Sequence, residues 1–156
     1  DFYTSFVSDR EPWLAALRRH EPTFVHGDLR RANISYMPDG TVCLLDWERA
    51  MRGHASIDLA WYWFLQFWAY PPRVPCDPDG YRAAYLGHLE QALGRPVDRA
   101  DFDAAWGLAW LKVLSEIGWI LADPLAEPNP SPDDVARVKD SGRRAIELAR
   151  RALDRV

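Results

Sequence analysis

Cysteine, lysine and glycine-rich stretches are all scarce in this 156-residue chain, and each scarcity narrows what the protein can do. Two cysteines, Cys43 and Cys76, cannot make a disulfide framework, and the four histidines show no metal-ligand spacing with them. Cys43 lies in a stretch that reads as strand and is expected to be a buried thiol. The lysines are Lys112 and Lys139, both in the second half of the chain, and no G-x-G-x-x-G phosphate loop is present. No apolar run reaches the length of a membrane span; the aromatic stretch 57–70 is too short and contains Gln66. No signal peptide is visible at the start, which makes a cytoplasmic location the default. A formal net charge of -4 argues against nucleic acid as a main partner, because phosphate binding needs a basic surface, and suits a cationic ligand better.

What is present is apolar and aromatic. With 48% hydrophobic residues and eight tryptophans, the chain is not disordered. Its length fits a single domain over 1–156, which should bury roughly two thirds of its unfolded surface. The expected fold is α+β and mainly helical. Ser8 and Glu11 form a capping box for a helix over 12–19, closed by Glu21-Pro22. Residues 23–26 and 34–36 read as strands, Pro38-Asp39-Gly40 as a turn, and 41–45 as the returning strand. Residues 49–55 read as a loop, and Ser56 as the cap of a centrally buried helix through Trp68. After a proline-rich loop over 71–80, helices are expected over 79–93, closed by Gly94, and over 99–121. In the latter, Trp106, Trp110, Leu114 and Ile117 make a core stripe. A second proline-rich stretch, 124–132, precedes a last helix to about Asp154, where Arg150, Arg151 and Arg155 suit the helix dipole.

The chemistry is concentrated in HGDLRRAN at 26–33 and LLDWE at 44–48. Asp28 is followed five positions later by Asn33, and Asp46 ends a hydrophobic strand. A hydroxyl attacking a nucleotide's terminal phosphate needs a carboxylate within hydrogen-bond reach, and Mg²⁺ needs hard oxygen ligands. The protein-kinase catalytic loop supplies these groups in the same order: a base, then an Asn on Mg²⁺, then a metal-binding Asp. The 34–45 hairpin would return Asp46 beside Asn33. The plain alternative is an Asp/Asn-stabilised turn and a strand-end carboxylate.

HGDLxxxN, a strand ending in Asp46-Trp47-Glu48, and then IDLAW at 57–61 resemble the aminoglycoside phosphotransferase and choline kinase-like family of small-molecule kinases. Gly27 after the His, and Trp47-Glu48 in place of Phe-Gly, separate the chain from ordinary protein kinases. The resemblance implies Asp28 as catalytic base, Asn33 and Asp46 as Mg²⁺ ligands that place the nucleotide, and His26 as organiser of the loop. It implies that Asp58 braces that loop from the start of the next helix, while Glu48 supports the loop rather than binding metal. It also implies Mg²⁺ and ATP or GTP as cofactors. Many relatives carry His-Pro-Gly where this chain has Arg30-Arg31-Ala32. Two readings of Arg30 stay open: a contact to the γ-phosphate, or a solvated surface charge; Arg31 reads as the latter.

In that family the acceptor lies against the helical part of the lobe, and aminoglycosides are held by carboxylates. Glu116, Asp123 and Glu127, near the end of the long fourth helix, are the candidates here; the bland reading of each is a surface acid. Only 25 residues precede His26, too few for a strand-rich nucleotide cover with its phosphate-binding Lys. The chain is therefore expected to be the C-terminal lobe of a longer kinase, partnered by the N-terminal lobe of the same parent chain. The acceptor would be a small-molecule hydroxyl, an aminoglycoside-type antibiotic ahead of choline, homoserine or a sugar derivative. A non-catalytic kinase-like module that binds a ligand or partner is the alternative from another class; a metal-dependent hydrolase fits less well, since it would show more ligands.

Overall fold

Proline and glycine punctuate the first half of the chain into short elements, and the computed structural model describes residues 4–5, 8–69, 78–122 and 131–154. Helix α1 (Glu11–Leu17) begins where Pro12 can take a helical φ without wasting an amide donor. Ser8 does not cap it. The helix starts at Glu11, so Arg10 stands at the N-cap with no side-chain bond, and Asp9 Oδ1 accepts the Glu11 amide at 3.1 Å instead. Trp13 and Ala16 are the buried face of α1.

Strand β1 (Thr23–Val25) leads into the HGD loop, a short 3₁₀ turn (Arg31–Asn33) closes that loop, and β2 (Ile34–Tyr36) leaves it. β2 pairs antiparallel with β3 (Val42–Leu44), Ile34 opposite Leu44 and Tyr36 opposite Val42. The turn between them uses Gly40 at φ 85° and Asp39, whose Oδ1 accepts the Thr41 amide at 2.9 Å. A further strand, β4 (Met51–Gly53), lies inside the stretch expected to be loop. It pairs antiparallel with β1, Val25 opposite Met51 and Thr23 opposite Gly53, giving a second two-stranded sheet. Three residues centred on Arg52 are too few to show a strand period in the sequence.

Helix α2 (Ser56–Trp63) is buried on almost every side, as its composition demands. Its N-cap is Ala55, not Ser56. The Ser56 hydroxyl instead donates to the Ala105 carbonyl at 3.0 Å, and the Ser56 amide donates to His54 Nδ1 at 3.2 Å. Beyond Trp63 the α-helix widens into a π-helical stretch (Phe64–Ala69), rather than running on as α to 68.

Helix α3 (Pro78–Leu93) stops at Gly94, whose φ of 64° is the left-handed value of a C-terminal cap. Helix α4 (Arg99–Ala122) is capped by Asp98 Oδ1, which accepts the Ala100 and Asp101 amides at 2.9 and 3.1 Å. Helix α5 (Pro132–Leu153) places Arg150 and Arg151 in its last turn. The α4–α5 pair is the most extensive contact between elements, followed by α2–α4. Trp110, Leu114 and Ile117 are fully buried in it, with Trp106 packed alongside, so the aromatic stripe is core. Cys43 is half-buried in β3 rather than buried; Cys76 and Arg155 lie outside the described residues. Among the described residues no helix is long and apolar enough to cross a membrane.

Candidate active site

The two short sheets exist to hold one loop. β1 delivers the chain to His26, Gly27 takes φ 80°, and Asp28 follows with its carboxylate almost closed to solvent. The His26 and Gly27 amides donate to Asp58 Oδ2 and Oδ1 at 2.6 and 2.8 Å, so the first turn of α2 grips the loop backbone with both oxygens of one carboxylate. His26 Nδ1 accepts the Asp28 amide at 3.3 Å, which leaves Nε2 as the protonated nitrogen. That Nε2 donates to the Leu45 carbonyl at 2.8 Å, immediately before Asp46. The Trp47 ring packs on the His26 ring at 4.6 Å and on Phe24 at 5.4 Å.

The hairpin closes the distance between the two motifs. The Leu45 amide donates to the Asn33 carbonyl at 2.9 Å, so Leu45, immediately before Asp46, is tied to Asn33 through its amide and to His26 through its carbonyl. Asp46 itself has φ 63°, the one non-glycine in the left-handed region among the described residues. Such strain persists where surrounding structure enforces it, and it gathers at functional sites.

Asp28 is held on both oxygens. Trp61 Nε1 donates to Oδ1 at 2.8 Å, and Asn33 Nδ2 donates to Oδ2 at 3.2 Å and to the Asp28 carbonyl at 3.0 Å. Arg30 Nε lies 3.1 Å from Oδ2, with its side chain half exposed. Arg30 is therefore neither a free surface charge nor remote from the loop. The Asn33 nitrogen is spent on Asp28, and among the described residues no hydrogen bond uses its Oδ1, so that oxygen is available. Among the described residues no cluster of three or more His, Cys, Asp or Glu could hold a metal. One amide oxygen and one carboxylate suit Mg²⁺, which keeps waters and phosphate oxygens for most of its shell.

Behind the loop lies a charged brace. Arg49 pairs with Glu116 of α4, and Lys112 Nζ reaches the same Glu116 Oε1 at 2.8 Å. Burial pushes the Glu116 carboxyl up, but the bonds from Lys112 and Arg49 outweigh it and hold it below its ordinary value. Glu116 in turn raises the Arg49 guanidinium above its own. Lys112 Nζ also sits over the Trp61 ring, 4.8 Å from its centroid.

Comparison with known proteins agrees with this arrangement. The phosphotransferase enzyme family profile matches residues 7–100, well over half of the chain. The chain belongs to the phosphotransferase enzyme family. A solved structure from Ralstonia eutropha JMP134, described as a candidate aminoglycoside phosphotransferase, shares its fold. The TM-score is 0.53 at 20% identity, over 92% of this chain and 47% of that one. This phosphotransferase chain thus spans about half the length of that solved relative.

Of the residues singled out in the sequence, His26, Asp28, Arg30, Asn33 and Asp58 meet around one loop, and Leu45, the residue before Asp46, is bonded into it through its backbone. Of the three acceptor candidates only Glu116 lies among the described residues. Glu116 lies inside α4 with its charge spent on Arg49 and Lys112, and Asp123 and Glu127 fall outside the described residues. Sequence reasoning missed Trp61, Arg49 and Lys112 as neighbours of the site. Trp61 closed the IDLAW motif but carried no assigned role there, and the Arg49 to Glu116 pairing spans 67 positions.

Proposed function

We propose that this chain is the catalytic and acceptor-binding lobe of an ATP- or GTP-dependent kinase that phosphorylates a small-molecule hydroxyl. The observation that carries the reading is the buried Asp28 carboxylate bonded to Asn33 within a loop tied to the residue before Asp46. Asp28 orients the acceptor hydroxyl and takes its proton. The hydroxyl oxygen forms the new bond to the γ-phosphorus, the bond to the β-phosphate oxygen breaks, and the nucleoside diphosphate leaves. Asn33 Oδ1 and Asp46 would hold Mg²⁺, which neutralises phosphate charge when bound. Arg30, beside Asp28, has the reach and charge to meet the transferred phosphate.

An aminoglycoside-type acceptor is the favoured class, supported by the description of the solved Ralstonia relative and by the net negative charge of the chain. Choline, homoserine and sugar derivatives follow. The nucleotide would be clamped by a further lobe of the parent chain. Exposed Phe24, Tyr36, Val42, Leu45 and Trp47 on the strands and their loops offer that lobe an apolar docking face.

The test is nucleotide consumption by the full-length protein with Mg²⁺ across aminoglycosides, choline, homoserine and sugar alcohols. Acceptor-dependent turnover with one class is the expected result and names the substrate. A folded protein that binds Mg-nucleotide yet phosphorylates none of them would favour a non-catalytic binding module.

A further inference from the structure

Helix α2 touches the catalytic loop at two points, and only the first is a backbone brace. Asp58 takes the His26 and Gly27 amides; Trp61, three residues later, stands on the same face and reaches the Asp28 side chain. The indole Nε1 lies 2.8 Å from Oδ1 in a residue only 9% exposed. An indole N–H donates and cannot accept, so it can fix a carboxylate oxygen without competing for the substrate proton. It also shields that oxygen from water. Oδ2 is then the oxygen that faces Asn33 and Arg30.

The ring is itself held. Lys112 Nζ stands 4.8 Å from the Trp61 centroid with its side chain 14% exposed, and Glu116 anchors that ammonium at 2.8 Å. A cation over an indole face is attracted to it and draws π density away from the N–H, which strengthens the donor. Glu116 also binds Arg49, which ends the chain of contacts against the loop following Asp46.

We propose that Trp61 is a positioning residue for Asp28: its indole N–H sets the rotamer of the carboxylate that receives the acceptor proton, and Lys112 over the ring fixes the indole in that role. This rests on the phosphotransferase reading of Asp28. A carboxylate free to rotate is misplaced at the moment of attack, and misplacement on the ångström scale slows chemistry about 10–100-fold without weakening substrate binding.

The experiment compares full-length wild type, Trp61→Phe, Asp28→Asn and the double variant, measuring kcat, KM for nucleotide and acceptor, and thermal midpoint. Trp61→Phe keeps a ring under Lys112 but removes the donor. It should lower kcat ~10–100-fold with both KM values unchanged, and it should cost nothing further in the Asp28→Asn background. Wild-type kcat in Trp61→Phe, or a loss that only follows the loss of folded protein, overturns the positioning role and leaves the kinase reading standing. Wild-type turnover in Asp28→Asn instead overturns the reading of Asp28 itself. If Trp61→Phe does not fold, the Trp61 indole N–H resonance in ¹⁵N-tryptophan protein decides. It should move upfield in Asp28→Asn, and an unmoved resonance overturns the proposal.

Discussion

Gly27 allows the catalytic loop to lie directly on the backbone of Arg49. A Cβ there would collide with the Arg49 carbonyl oxygen, and the residue sits at φ 80°, where an L side chain is strained. Gly27→Ala should lose ~1–2 kcal/mol from the left-handed conformation alone, with the collision added. It should also displace Asp28 and cut turnover more than stability requires. Thermal unfolding and turnover of the full-length variant check both; an unchanged midpoint would mean the loop does not lie on Arg49. The Asp28 to Asn33 spacing was readable because five residues of loop carry it. The indole bond to Asp28 was not, since nothing in a run of Leu59, Trp61, Trp63 and Phe64 tells which aromatic has a polar duty.

At the scale of elements, the start of α2 is the informative place. Ser56 looked like a cap, yet the helix begins at Ser56 itself, and the imidazole of His54 accepts its amide. Burial holds the His54 imidazole below its ordinary value, and the neighbouring His20 adds to this, against Asp101 and Glu21. The unfolded chain therefore binds the proton more readily, and the stability lost on protonation appears as pH falls through about 6.5. Above that pH the contribution is fully present. His54→Asn retains an acceptor for the Ser56 amide but does not titrate, so its midpoint should fall less than wild type between about pH 7 and pH 5. Parallel curves would remove His54 from the balance. Strand β4 teaches the same lesson as Ser56. Hairpin β2–β3 was readable from its Pro-Asp-Gly turn, whereas β4 is defined by its partner β1 and not by its own residues.

For the whole molecule, α2 packs on α4, and helices α4 and α5 pack along each other. Gly107 lets them meet: a Cβ there would run into the Ala152 side chain and stand 3.0 Å from the Leu148 carbonyl oxygen. Gly107→Val should cost ~1–3 kcal/mol by overpacking and lower the unfolding midpoint. Because Lys112 and Glu116 lie farther along α4, it should reduce activity through them as well; a variant as stable as wild type would show that the helices can separate freely. The long helices were readable from the cap at Gly94 and from the Trp110, Leu114, Ile117 stripe, whereas the Asp98 cap came only with the fold. The Arg49 to Glu116 half of the brace was not readable, because charge pairing over 67 positions leaves no local trace; Lys112 and Glu116 are an i, i+4 pair on one helix. Glu116 illustrates this: near a helix end in sequence it resembled a ligand carboxylate, and in the fold it neutralises two cations.

The most direct measurement is Mg-nucleotide binding and acceptor phosphorylation side by side in the full-length protein and its Asp28→Asn variant. If Asp28 is the base, the variant binds Mg-nucleotide as wild type does and its transfer falls about 10²–10⁴-fold. Transfer at the wild-type rate with the carboxylate removed would contradict the assignment on which the site, and Trp61 behind it, depends.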